Sequence, residues 1–358
     1  MNYNFGESRF FEQLNKKWML ENISLPVEID GNYENTPIFS LLNESLLSRH
    51  KRKQLLLPNF SETETVAIFS DYGGEHKESK YFTYTFLFVD YQTIGLFSEN
   101  MIKIRNNYFK GDFKKEISFK DSHKYGPIRR CIDEYLGIAN NQLNGLVFTL
   151  MVEKNITSLV SSDDKQGIKS LVDTFFENNL GKWKGGVLEK GLRILFTMSY
   201  FCKLLIPSGK KVFWMTDHDS IMPNDEKTTQ MATVFKNCLN SVKYPPVYDV
   251  IGYTNKPFDY EEDEFHFRDL LSIADMVAGS IGYYYQNEEN KTQTNNDAAI
   301  KTCKWLPGQG VGLKKLNLVI RKESTGFRGG MIDFMNSDPV QNTKYVDYGY
   351  GVKVNSSR

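Results

Sequence analysis

The chain has 358 residues, 40% of them hydrophobic and 25% charged, with 44 Lys plus Arg against 44 Asp plus Glu. That length accommodates one large domain or two ordinary ones, and either buries a real core. A net charge of zero argues against a protein that coats polyanions through a global field, though not against an enzyme with a local basic groove.

The four cysteines, Cys131, Cys202, Cys238 and Cys303, lie far apart without a CxxC spacing. This argues against a zinc site and for reduced thiols packed in apolar stretches. The N-terminal residues show no apolar signal core, and the most apolar stretch, 192–207, is too short and interrupted to span a bilayer. A cytoplasmic protein that does not enter a membrane is the expectation.

In chain order, residues 6–22 and 37–57 are predicted helices, the second with Leu41, Leu42, Leu46 and Leu47 at helical spacing. Its basic run, 49–53, reads as a solvated face or as a phosphate contact. Residues 65–71, 81–90 and 93–97 then read as three strands of a meander. The stretch 114–120 either continues the strands or leads into a helix at 124–137, and 145–154 is a strand. Helices at 165–180 and 186–206, a strand at 211–217, a helix at 226–241, a strand at 247–253 and a helix at 266–286 follow. The Asn-rich stretch 286–297 reads as a mobile loop, and the remainder is loop-rich with one strand at 315–321.

A meander followed by strands alternating with helices predicts an α/β fold, a mixed sheet flanked by helices. The expected organisation is an N-terminal helical segment (1–62), a core (63–286) and a polar loop with a C-terminal extension (287–358).

Carboxylates mark the candidate site. Asp71 ends the apolar run Val66 to Phe69, just before Gly73 and Gly74. It is either a turn residue or a metal ligand. In "VFWMTDHDS" the period of two puts Phe213, Met215, Asp217 and Asp219 on one face of a strand that continues through them. Two clustered carboxylates need a cation or hydrogen bonds to compensate them, unless both are simply solvated. On the helix 266–286, Leu270, Leu271, Ala274, Val277, Ala278 and Ile281 share a face. Asp275 falls at its margin, while Asp269 is expected to point to water. Parallel neighbouring strands would put Asp71 and Asp217 side by side, with Asp275 brought in by the helix. Hard oxygen ligands of this kind favour Mg²⁺ or Mn²⁺, and a pair of such ions suits phosphodiester cleavage.

This order of strand-Asp, meander, helices, strand-Asp and helix-Asp resembles the ribonuclease H-like fold. More narrowly, "AIFSDYGGEH", "EISFK" and "LLSIADMVAGSIGYYY" resemble segments of the bacterial family catalogued as domain of unknown function 3800. The resemblance spans roughly 64–285. It implies a metal-dependent nuclease site of Asp71, Glu116, Asp217 and Asp275, with Asp219 a further candidate ligand. Asp133 or Glu134 are alternatives to Glu116. His76, Lys77 and Lys120 are candidate phosphate contacts, and nucleic acid is the expected partner. At the family level, a role in defence against phage or mobile DNA, with a protein partner, is also implied. The alternative is a non-catalytic module of the same fold that binds nucleic acid or a protein.

His218 is read as a proton shuttle or a structural histidine, and "PGQGVG" and "GFRGG" as flexible turns rather than phosphate loops. Arg321, Lys322 and Arg328 remain candidate backbone contacts. The aromatics of 81–91 are read mainly as packing residues, with base stacking as the other use.

Overall fold

Helix α1 (Pro37–Lys51) leads into strands β1 (Thr65–Gly73) and β2 (Tyr81–Asp90) of the computed structural model. It describes residues 17–353 apart from 162, 218, 256–264, 293–294, 309–311 and 337–342, with backbone alone at 335, 336 and 343–353. Next come α2 (Gly95–Phe109), the single turn α3 (Phe119–Ser122), α4 (Gly126–Gln142) and β3 (Gly145–Glu153). Helices α5 (Lys165–Glu177) and α6 (Gly185–Leu205) precede β4 (Lys211–Thr216), α7 (Asp225–Cys238) and β5 (Val250–Thr254). Last are α8 (Phe265–Asn290), α9 (Asp297–Trp305), β6 (Leu313–Glu323), β7 (Gly326–Asn336) and β8 (Thr343–Lys353).

The strands form one eight-stranded mixed sheet in the order β5-β4-β1-β2-β3-β6-β7-β8. β1, β2 and β3 are an antiparallel meander. β4 is parallel to β1, β5 to β4 and β6 to β3, and β7 and β8 complete the sheet antiparallel. Side-chain alternation divides the interior into two cores. Val66 and Ile68 of β1 pack with α1, α6 and α7 on one face, while Ala67 and Phe69 pack with α2, α4, α8 and α9 on the other.

The structure differs from the expected elements at several places. Residues 93–97 are not a strand. Asp90 accepts the Gln92 N–H at 3.1 Å and its carbonyl takes the Thr93 hydroxyl at 2.9 Å, which starts a 3₁₀ turn that passes into α2. From there Phe97, Met101 and Ile104 are buried at helical spacing. Residues 110–118 lie outside any strand and lead into α3. Helix α4 runs past Gly137 to Gln142, because Leu136 and Ala139 continue its buried stripe. α8 extends through Asn290, so the Asn-rich stretch begins inside a helix and ends in α9. The extension beyond 287 supplies β6, β7 and β8 to the same sheet, with Leu316, Leu318 and Ile320 buried in the core shared with α1. Most of the helix expected at 6–22 lies outside the described residues, and within the remainder Met19 bridges Pro58.

Asp269 is the largest correction. It is fully buried, ion-paired with the equally buried Arg105 of α2. The expectation treated α8 as covered on one side only. α8 lies between the sheet and α2, α3 and α9, so its outer face is interior as well.

Candidate functional site

Strand register builds the centre of the site. β1 and β4 run parallel with Ser70 opposite Thr216, so the next residue on each is an aspartate, Asp71 and Asp217. Asp71 continues the face of Ala67 and Phe69, toward α8. Asp217, the first residue past β4, lines a cleft with Leu271 of α8, on that same face. Both stand at the carboxyl ends of parallel strands, where α/β sheets open to ligands.

Close helix-to-sheet packing brings in the third acid. A Cβ on Gly73 of β1 would stand 2.6 Å from Thr83 Oγ1 of β2 and 3.6 Å from the Ala278 carbonyl of α8. One on Gly279 would stand 2.2 Å from the Phe119 ring. With neither Cβ present, α8 settles against the ends of β1 and β2, and Asp275, one turn before Gly279, faces Asp71 within hydrogen-bonding reach. Asp275 Oδ2 also accepts the backbone N–H of Phe119 at 2.6 Å, which fixes α3 and the loop carrying Glu116.

The electrostatics follow from that crowding. Burial raises the Asp71 carboxyl well above the usual carboxylate range, and the charges of Asp275 and Asp217 push it further, against the Tyr72 N–H. Asp275 is also raised, first by burial, with Glu116 and Asp217 adding to the shift and the Phe119 N–H opposing it. Two carboxyls so placed share one proton, since both cannot ionise at this separation without a cation. Asp217 and Glu116 form the outer, more exposed rim. Glu116 is raised by partial desolvation of its carboxyl first and by the Asp217 charge second, while Arg268 opposes both.

Two clefts open beside these acids. One, of about 430 Å³, is lined by Asp71, Asp275, His76, Lys120, Tyr283 and Gln286, among others. The other, of about 250 Å³, is lined by Lys114, Glu116, Asp217, Arg268 and Leu271. His76 and Lys120, both expected phosphate contacts, therefore share a cleft with the inner pair, and Lys77 is exposed on the same β1–β2 connection.

The other candidates lie elsewhere. Asp219 does not join the acids, because its Oδ2 pairs with Lys190 Nζ at 2.7 Å on the opposite face of the sheet. The strand ends at Thr216, so alternation no longer governs residue 219. Asp133 pairs with Lys301 at 3.0 Å and Glu134 accepts the Tyr108 hydroxyl at 2.9 Å, both away from the clefts. Arg321 pairs with Glu289 at 3.0 Å, Lys322 with Asp163 at 2.6 Å and Arg328 with Glu323 at 3.6 Å. His218 falls outside the described residues. Phe86, Phe88 and Tyr81 are core side chains, in line with packing.

Several contributors were not read from the sequence. The Phe119 amide has no sequence signal, being backbone. A polar layer beneath Asp71, with Ser70 Oγ 2.8 Å from Tyr72 OH and 2.9 Å from Trp214 Nε1, looked like ordinary strand residues. Arg268 and Lys114, linked at 3.0 Å through the Lys114 carbonyl, flank Glu116 and Asp217. Arg268 stands beside the apolar face of α8, and Lys114 lies in the irregular segment before α3.

The acids are hard oxygen donors suited to Mg²⁺ or Mn²⁺. Among the described residues, no group of three or more His, Cys, Asp or Glu side chains is already arranged to hold a metal ion. A cation would replace the proton held between Asp71 and Asp275 and offset the crowding of acids around them. No family model, curated protein or solved structure matches the chain.

Proposed function

We propose that the protein is a nuclease with a ribonuclease H-like core that hydrolyses nucleic-acid phosphodiester bonds using Mg²⁺ or Mn²⁺. One observation carries this reading: Asp71 and Asp217 each follow the last paired residues of the adjacent parallel strands β1 and β4, and Asp275 of α8 faces Asp71. The sequence of meander, helices and parallel strands supports it, as does the resemblance of residues 64–285 to the uncharacterised bacterial family.

In this reading Asp71, Asp217 and Asp275 would hold the cations, and Glu116 would orient the attacking water. When bound, divalent ions would supply charge neutralisation at the phosphodiester and a more acidic water. The chain itself releases the proton shared by Asp71 and Asp275 as it takes up the cation. Lys120 and His76 hold the phosphate backbone in the larger cleft, Lys77 is exposed on the same connection as His76, and Arg268 and Lys114 flank the smaller cleft.

A second reading, a non-catalytic module that binds nucleic acid or a protein, is favoured by the absence of a preformed three-residue metal group among the described residues. Labelled single- and double-stranded DNA and RNA, each incubated with Mg²⁺, Mn²⁺ or a chelator, separate the two. Cation-dependent cleavage that disappears in Asp71→Ala and Asp217→Ala supports the enzyme. Cleavage that survives both substitutions contradicts the site, and binding without any cleavage supports the module.

A further inference from the structure

Helix α6 is apolar for most of its length, yet Glu189, Lys190 and Arg193 are buried within it. Two of these charges serve the loop before α5. Glu189 accepts the Leu159 N–H at 2.7 Å, the Ser158 hydroxyl at 2.8 Å and Arg193 Nε at 2.9 Å. Lys190 does something else. Its ammonium, on a residue only 8% exposed, donates to Glu75 and, at 2.7 Å, to Asp219 Oδ2.

The two partners sit at informative places in the chain. Glu75 lies on the β1–β2 connection shortly after Asp71, and Asp219 lies on the β4–α7 connection shortly after Asp217. Asp219 also shapes its own turn. Its Oδ1 accepts the Ile221 N–H at 3.1 Å and the Ser220 hydroxyl at 3.0 Å, and its carbonyl accepts the Met222 N–H at 3.0 Å. The same ammonium stands 5.1 Å from the centre of the Tyr72 ring, and Tyr72 follows Asp71 directly. The Lys190–Asp219 pair is largely buried, so breaking it leaves an uncompensated charge, whereas Glu75 is exposed and adds a second, more solvated arm.

We propose that Lys190 is a positioning residue: from the sheet face opposite the acids, its ammonium holds both segments that leave the strand ends bearing Asp71 and Asp217, and so sets how these two acids stand to each other. The catalytic consequence rests on the nuclease reading, whereas the tie itself does not.

The test pairs amide hydrogen exchange with Mn²⁺ titration and turnover in Lys190→Met, which keeps the length of the side chain and removes its charge. Exchange should quicken by about tenfold or more at 73–78 and at 219–222, while the middle of α8 stays protected. The Mn²⁺ half-saturation point or kcat should worsen by about 10- to 100-fold, as for groups that orient metal ligands, with recovery in Lys190→Arg. Unchanged exchange in either segment overturns the tie. Changed exchange with unaltered Mn²⁺ response and turnover overturns the positioning role. A wild-type protein that neither binds Mn²⁺ nor cleaves sinks the nuclease reading, and the exchange data still decide the tie. If Lys190→Met does not fold, Asp219→Asn and Glu75→Gln each remove one arm and should loosen only the segment that carries it.

Discussion

Burial raises both Asp71 and Asp275; the charges of Asp275 and Asp217 raise Asp71 further, and those of Glu116 and Asp217 raise Asp275, so the hydrogen-bonded pair holds a proton. The sign of the consequence is fixed. The unfolded chain gives up such protons near about pH 4, whereas the folded chain keeps one to higher pH. The stabilisation is therefore fully present below that pH and is lost as pH rises through the folded values. In chelator, wild-type melting temperature should fall from pH 5 to pH 8 more than that of Asp71→Asn, which has no second charge to repel. At pH 8 the variant should melt about 2 °C or more above wild type, and only wild type should gain from added Mn²⁺. A variant that melts below wild type at pH 8 contradicts the shared proton. Asp269 obeys different physics. Asp269→Ala leaves the buried Arg105 without its counter-charge, though still bonded to the Lys115 carbonyl, so it should cost about 3–5 kcal/mol in urea titrations. The contrast shows what sequence could deliver at this scale. Strand alternation was enough to place Asp71 and Asp217, since a strand has two faces and one was apolar. Asp269 was misread because a helical wheel says which side is apolar and not how many sides are covered.

Among the elements, the packing of α8 against β1, β2 and α3 decides where Asp275 stands. Gly279→Ala places a Cβ 2.2 Å from Phe119, the residue whose N–H binds Asp275. α3 must shift, and with it the loop that carries Glu116. The expected result is loss of Mn²⁺ response and turnover by about tenfold or more, with the fold retained by near-ultraviolet circular dichroism. The control is Gly137→Ala in α4, where a Cβ meets nothing within 4 Å. It should stabilise the protein by about 0.5–1 kcal/mol by favouring helix. Equal losses in both variants would show that Gly279 carries no special role. Most elements were legible from periodicity, α8 and β3 above all. The strand expected at 93–97 was not, because side-chain bonds from Asp90 and Thr93 outweigh a short apolar alternation there.

At the scale of the whole molecule, one sheet joins parts that the sequence divides. β6 pairs with β3 through the middle of the core, β7 meets α1 through the Arg49–Asp333 ion pair, and both sheet faces are covered by helices. The extension could not be assigned from sequence, since pairing across more than 150 residues leaves no local trace. Residues 1–312 alone would expose the β3 edge, so that truncation should be insoluble or lack cooperative unfolding. A soluble truncation with the full chain's stability would contradict the joint sheet. Asp71, Asp217 and Asp275 are proposed as one cation site across β1, β4 and α8. The most direct test of this proposal is calorimetric titration with Mn²⁺ in two buffers of different ionisation enthalpy. Wild type should bind with proton release, and Asp71→Asn, Asp217→Asn and Asp275→Asn should each weaken binding, with the release lost in Asp71→Asn and Asp275→Asn. No binding by wild type, or binding unchanged in all three variants, would contradict it.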